Sequence, residues 1–237
     1  MNLEMSNNMP EEFQDKEDLQ MFGVDIAGVE VVPVEWSRHP CRLISRGAGT
    51  SCNKNDNSFN RVARCFKAGH MSVFEHASIT FDVLCSRSCS HQLVRHRFIS
   101  PTQLSQRYVK NQDTFIIPPT VERDVAEKLL KLYIIAMLGY NKLIESGVKS
   151  EDARYALPEG TATRLTITMN ARELFHFLDV RTDPHAQFEI RFIAWKMVET
   201  LQEIPGWKKL VALWLNKEGL KERHAAWLEE LLRLDCI

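Results

Sequence analysis

The chain has almost no net charge: 30 Lys and Arg stand against 31 Asp and Glu, a balance of -1 with a pI near 6.7. It therefore lacks the global basic field of a protein that coats nucleic acid, and no nucleic-acid partner is expected. No apolar run reaches the roughly 20 residues of a bilayer-spanning helix. The first residues also lack the basic segment, apolar stretch and small-residue cleavage site of a secretory leader. A cytoplasmic protein with no membrane partner is expected. Gly-x-Gly-x-x-Gly and Walker-type loops are absent, which removes two common phosphate cradles, and no internal repeat is present. The cysteines, at 41, 52, 65, 85, 89 and 236, are too irregular for a disulfide framework in a chain of this length, so reduced thiols are expected. Cys85-x-x-x-Cys89-x-His91 is half of a zinc site at most. No second Cys/His pair stands at finger-like spacing, and no metal is expected. Nothing near Cys41 supplies a base to make it a nucleophile.

What is present is an ordinary globular composition, 44% hydrophobic and 26% charged over 237 residues, enough to bury a core without staples. Residues 1–22 carry Glu4, Glu11, Glu12, Asp15, Glu17 and Asp18 against Lys16 alone, and read as an acidic tail before a single domain over 23–237. Residues 29–34 are dense in valine and suit an early strand. Residues 37–60, rich in Gly, Asn, Ser and Cys, suggest loop with one short helix, and 61–68 a helix stopped by Gly69. A turn over 69–76 carries Ser72 together with His70, Glu75 and His76, and the last three suit metal ligation or acid-base work about as well as plain capping or hydrogen bonding.

Residues 78–84 alternate as a half-buried strand, and so do 161–169. A helix is expected over 88–97, placing Gln92 and Arg95 three apart on one face, and Pro101 then imposes an irregular, extended loop. Residues 114–119 suggest a short strand ending at prolines. A long helix over 121–146 shows a stripe of Val125, Leu129, Leu132, Ala136 and Leu143. Residues 151–158 form a short helical turn into Pro158. Asn170 caps a helix over 171–181, where Arg172, His176 and Asp179 share a face apart from the apolar one. Helices follow over 185–204 and, either side of Gly219, over 207–237. Long helices around a few alternating strands argue for an α+β fold rather than a doubly wound sheet.

The densest chemistry lies in residues 95–108. Three arginines and two serines in so short a span suit an anionic ligand, because guanidinium forks match phosphate and carboxylate oxygens. Apolar residues and Pro101 interrupt the cations, unlike a merely solvated basic face. On these residues alone, an RNA- or nucleotide-binding module and a metal-dependent nucleotide hydrolase using His70, Glu75 and His76 stay open beside an enzyme site.

Arg95-His96-Arg97-x-x-Ser100 … Ser105-x-Arg107-Tyr108 resembles the signature Arg-His-Arg-x-x-Ser-x-Asn-x-x-Ser-x-Arg-Tyr of the flavin-dependent thymidylate synthases. Thr102 replaces the family's Asn and keeps an oxygen but loses the amide. Three further segments resemble the family in order: Gly69-His70-x-Ser72-x-Phe74-Glu75-His76, Ala153-Arg154-x-x-Leu157-Pro158, and Asn170-Ala171-Arg172 … Phe177-Leu178-x-x-Arg181-x-Asp183-x-His185-Ala186-Gln187. Together they cover about 69–191.

The resemblance implies a small antiparallel sheet flanked by long helices, assembled as a homotetramer with sites shared between subunits. It implies conversion of dUMP to dTMP, with methylenetetrahydrofolate as carbon donor and NADPH as reductant through FAD. Ser72, Arg95, His96, Arg97, Gln103, Asn170, Arg172 and His176 would contact FAD. Gln92, Arg95, Gln103, Leu104, Ser105, Gln106, Arg107, Arg154 (from another subunit) and Arg181 would contact dUMP. Arg181 would be the catalytic residue, favouring ionisation of the uracil at N3, a role suited to a group that stays charged at any working pH. None of the cysteines is then needed as a nucleophile.

Overall fold

The computed structural model describes residues 25–52, 58–109 and 113–234; the acidic tail read over 1–22 lies outside them. Elements follow in the order β1 (Asp25–Ile26), β2 (Glu30–Trp36), α1 (Pro40–Cys52), α2 (Phe59–Lys67), a 3-10 turn (Met71–His76), β3 (Ser78–Ser86), α3 (Arg87–Leu93), β4 (Ser100–Gln103) and β5 (Thr114–Phe115). Then come α4 (Arg123–Glu145), α5 (Ser150–Ala153), a 3-10 turn (Arg154–Ala156), β6 (Ala162–Asn170), α6 (Ala171–Arg181), α7 (Phe188–Glu203), α8 (Trp207–Leu215) and α9 (Leu220–Leu234).

The alternating segments build an antiparallel sheet of order β2-β3-β6-β4, and β1 pairs in parallel with β5 beside it. Strands β3 and β6 pair from Ser78 with Asn170 to Ser86 with Ala162. This register puts Ile79, Phe81 and Val83 with Leu165, Ile167 and Met169 on one buried face. The other face is polar, where Thr80 meets Thr168 at 2.9 Å and Thr166 donates to Asp82 at 2.6 Å. A two-residue period thus sorts core from solvent without further specification. The apolar face joins α6, α7 and α8 in the main core, which includes Phe175, Phe177, Ile193, Trp195, Trp207 and Trp214. Helix α7 runs through that core and is buried nearly all round. The mixed architecture with an antiparallel sheet agrees with the α+β expectation.

Several local expectations need correction. Residues 40–52 form a full helix despite Gly47 and Gly49, because Ile44 and Ala48 bury. Pro40 suits its first position, where the missing N–H costs nothing. Gly47 allows close approach: a Cβ there would lie 2.4 Å from His76. Helix α3 ends at Leu93, so Arg95 lies beyond it and shares no helical face with Gln92. The extended segment at Pro101 is in part an edge strand, β4, where a residue without an N–H is tolerated. The last long helix before the C-terminal pair begins at Phe188, since residues 183–187 are held in turns by Asp183.

Helix α4 is rotated from its expected stripe. It buries Ala126, Leu130, Tyr133, Ile134, Met137 and Tyr140, and leaves Val125, Leu132 and Leu143 exposed. Apolar residues occupy more than one face of this helix, so periodicity alone was ambiguous. The contact that selects the face is Tyr133, which stacks on Phe115 at 4.8 Å and donates its hydroxyl to the Ile116 carbonyl at 3.1 Å.

Candidate active site

Asn170 ends β6 and caps α6: its side-chain oxygen accepts the Glu173 backbone N–H at 2.9 Å, satisfying one of the helix's orphan donors. The cap fixes the phase of the helix. Leu174, Phe175 and Leu178 turn into the core, while Arg172, His176 and Asp179 line a cleft of about 700 Å³, as their spacing predicted. Phe66, Met71, Glu75 and Phe98 complete much of the remaining wall. Arg172 is paired with Glu75, and Lys217 from beyond α8 reaches Asp179 at 2.7 Å. Aromatic surface and cations therefore share one opening.

At the far end of α6, Arg181 donates from Nε to His96 Nε2 at 2.9 Å and from Nη2 to the Gln92 carbonyl at 3.3 Å. Its remaining guanidinium hydrogens are unspent in these bonds. Burial lowers the Arg181 pKa from its usual value, but a guanidinium starts so high that it stays charged at neutral pH. His96 is buried, edge-on to Phe177 at 4.9 Å and to His176 at 5.8 Å. Burial, then Arg181, then His176 push its pKa down to about 4, so the ring is neutral at pH 7. Gln92 donates its side-chain amide to Gln187 at 2.6 Å.

A second group forms where β4 ends. Gln103 donates to Ser90 at 2.9 Å and to Thr163 at 3.2 Å, and the Leu104 backbone N–H donates to Arg164 at 2.9 Å. Ser105 accepts from the Arg107 backbone at 3.3 Å, and Gln106 is half-buried beside it. Arg107 pairs with the Glu151 carboxylate at 3.0 Å while Arg154 donates to the Glu151 carbonyl at 3.0 Å. Ser72, Arg95 and Arg97 are exposed, and neither arginine has a side-chain ion pair among the described residues.

The residues expected at one site thus fall into separate sets within the chain. Gln92, His96 and Arg181 meet directly, and Asn170, Arg172 and His176 line the adjoining cleft. Arg107 and Arg154 stand together at Glu151. Sequence reading passed over Glu173, Glu151, Lys217 and the contact made by Gln187. Glu173 had a signal that pointed elsewhere, since a Glu three residues after an Asn cap reads as a capping box.

The half-zinc pattern is also rearranged. Cys85 and Cys89 converge with Glu189, not with His91, which lies 3.7 Å from Glu159 at the surface. The Glu189 carboxylate is already taken by the Ser86 N–H and hydroxyl, both at 2.6 Å. A hydrogen bond with Cys85, then burial, holds the Cys89 thiol far above its usual pKa, so it is a protonated packing group. Cys41, Cys65, Cys85 and Cys89 are all free. Among the described residues His70, Glu75 and His76 do not gather around a common ion position.

Comparison with known proteins adds to this geometry. The family model described as "Thymidylate synthase complementing protein" matches residues 34–205. A flavin-dependent thymidylate synthase of Thermococcus onnurineus is 46% identical over 208 residues, covering 77% of this chain and 85% of that protein. One of Pyrococcus furiosus is 39% identical over 192 residues, covering 73% and 79%. Among solved structures, the UMP/dUMP methylase PolB of Streptomyces cacaoi, bound with 5-Br dUMP, superposes with a TM-score of 0.72 at 25% identity, over 80% of this chain and 97% of that one.

Proposed function

The chain belongs to the flavin-dependent thymidylate synthase family and converts dUMP to dTMP with FAD, and we propose that methylenetetrahydrofolate supplies the carbon and NADPH the electrons. A carbon at the methylene level needs two electrons to become a methyl group, and the reduced flavin, when bound, supplies them as hydride. The cleft on α6 suits such a cofactor. It combines the aromatic surface of Phe66 and Phe98 with Asn170, Arg172 and His176, which match a planar ring system carrying phosphates. Ser72, Arg95, His96, Arg97 and Gln103 would complete its contacts.

The observation that carries the assignment of chemistry is Arg181. Its Nε and one Nη2 hydrogen are committed to His96 and Gln92, which orients the rest of the fork away from them. A uracil held there would face a fixed positive charge, and negative charge developing on the ring at N3 would be stabilised without any proton transfer from the enzyme. Neutral His96 and the Gln92 carbonyl hold the guanidinium in place, and Cys89 stays a thiol.

Gln92, Arg95, Gln103, Leu104, Ser105, Gln106, Arg107 and Arg154 would hold the nucleotide. Arg154, which donates to the Glu151 carbonyl, would reach the site of another subunit in a homotetramer with shared sites. Residues 23–237 would form one domain, and a cytoplasmic location is proposed; no helix among the described residues is long and apolar enough to cross a membrane.

The test is direct. Purified protein should take up FAD, turn yellow, and form dTMP from dUMP only when methylenetetrahydrofolate and NADPH are both present. Protein that cannot be loaded with FAD, or turnover indifferent to the folate, would refute the reading.

A further inference from the structure

Glu173 is a buried carboxylate, 7% exposed, at the third position of α6. A capping-box glutamate would reach back to the backbone N–H of the capping residue. Here Asn170 is the last rung of the β3–β6 ladder, opposite Ser78, and the Glu173 carboxylate turns toward His96, with Oε1 3.7 Å from Nδ1. That separation is longer than a hydrogen bond. It is still short enough, in so buried a setting, for the carboxylate to favour a hydrogen over a lone pair on Nδ1.

On the other side of the ring the requirement is strict. A guanidinium has donors only, so the Nε2 that meets Arg181 Nε at 2.9 Å must be an acceptor, and a neutral ring must then carry its hydrogen on Nδ1. Both edges of the imidazole call for the same tautomer, and Glu173 is the group that favours it from the Nδ1 side.

We propose that Glu173 is a positioning residue of this enzyme: its carboxylate holds His96 in the Nδ1–H form, and the Nε2 lone pair so exposed aims Arg181 at the pyrimidine. The inference rests on the role given to Arg181 above. Without Glu173 only the Arg181 N–H opposes the Nε2–H form, and each excursion to that form would point a hydrogen at Arg181 and push the guanidinium out of line.

The test uses FAD-loaded protein carrying Glu173→Met, of similar size without an acceptor, and Glu173→Gln, which keeps a carbonyl oxygen. With 15N-labelled histidine, the His96 ring should show Nδ1–H in the parent protein and in E173Q, and a shift toward Nε2–H in E173M. For dTMP formation, E173M should lose about 10- to 100-fold in kcat, the range typical of an outer-shell partner. Its KM for dUMP and its FAD content should stay within about threefold, and E173Q should keep kcat within about threefold of the parent. A simple structural role would not separate Met from Gln in this way. An unchanged tautomer in E173M, kcat within about twofold of the parent, or equal losses in both variants would overturn the proposal. Glu173→Ala takes the place of E173M, with the same outcomes, if the latter does not fold. A parent protein that made no dTMP would overturn the assigned function instead, and the tautomer measurement would still decide the role of Glu173.

Discussion

Lowering the pH charges His96 beside a guanidinium, and the structure sets the size of the effect. The ring is 7% exposed, with Arg181 Nε 2.9 Å from its Nε2. Its pKa is pushed down to about 4 in the fold, against about 6.5 in an unfolded chain. Because the folded value is the lower one, the unfolded state takes up the proton first. The neutral ring's contribution to stability is complete above about pH 6.5 and is lost as the pH falls through the folded value. Between pH 7 and pH 5 the loss is about 1.5 to 2 kcal/mol by linkage.

Glu173 runs the other way, since burial raises its carboxyl and protonation in the acid range relieves the fold. The parent protein's pH curve therefore mixes opposing contributions. The His96→Gln variant separates them, because a Gln oxygen accepts from Arg181 and has no proton to gain. Urea unfolding at one fixed protein concentration, followed by the fluorescence of the buried Trp195, Trp207 and Trp214, gives the comparison at pH 7 and pH 5. The parent should lose about 1.5 to 2 kcal/mol more than H96Q over that interval. Parallel losses would refute the account of a neutral His96 held by Arg181.

Arg181→Ala should keep FAD and lose dTMP formation by about 10²- to 10³-fold, as removal of one preorganised charge-stabilising donor does elsewhere; turnover near the parent rate would remove Arg181 from the mechanism. Arg154→Ala should raise the KM for dUMP well before it lowers kcat, and initial-rate kinetics showing the reverse split would place Arg154 outside the nucleotide site. Gly160→Ala should lower Tm, because its Cβ would lie 2.1 Å from the Tyr133 hydroxyl, which Phe115 and Ile116 hold in place. Overpacking of that kind costs about 1 to 3 kcal/mol, and an unchanged melting curve would show that Tyr133 moves aside freely.

How much of this was legible depended on whether a residue's neighbours were local. Strands β3 and β6 read correctly because alternation is a local pattern and one face of the sheet is wet. The cap at Asn170 and the shared face of Arg172, His176 and Asp179 read correctly for the same reason, since three- and four-residue spacings fix helical faces. Helix α4 misled because its apolar residues form more than one stripe, and Phe115, outside the helix, chooses between them. Helix α1 was hidden by its glycines, one of which exists for the approach of His76. At the site, the cationic stretch was visible but its wiring was not. Nothing in residues 95–108 shows that His96 accepts from Arg181, 85 positions away, or that Glu151 gathers Arg107 and Arg154.

The wiring explains why Arg181 can act as a fixed charge. Its helix is tied at the start to the sheet, because Asn170 is both a rung opposite Ser78 and the cap of α6. A slip of one residue in that ladder would turn the cleft-lining side chains away. At its end the helix is tied to segments beyond the family match of 34–205. Asp179 accepts from Trp214 at 2.7 Å and from Lys217 at 2.7 Å, and Arg223 reaches Thr182 at 3.3 Å and Asp183 at 3.5 Å. These contacts lie on either side of Arg181 in sequence. The turn that carries it is therefore held by α8, α9 and the residues between them, as well as by His96 and Gln92. In the role proposed for Arg181, a guanidinium so restrained would have lost its rotational freedom on folding and would not lose it again when the nucleotide arrives, which is the physical advantage of building a charge-stabilising group into a rigid frame.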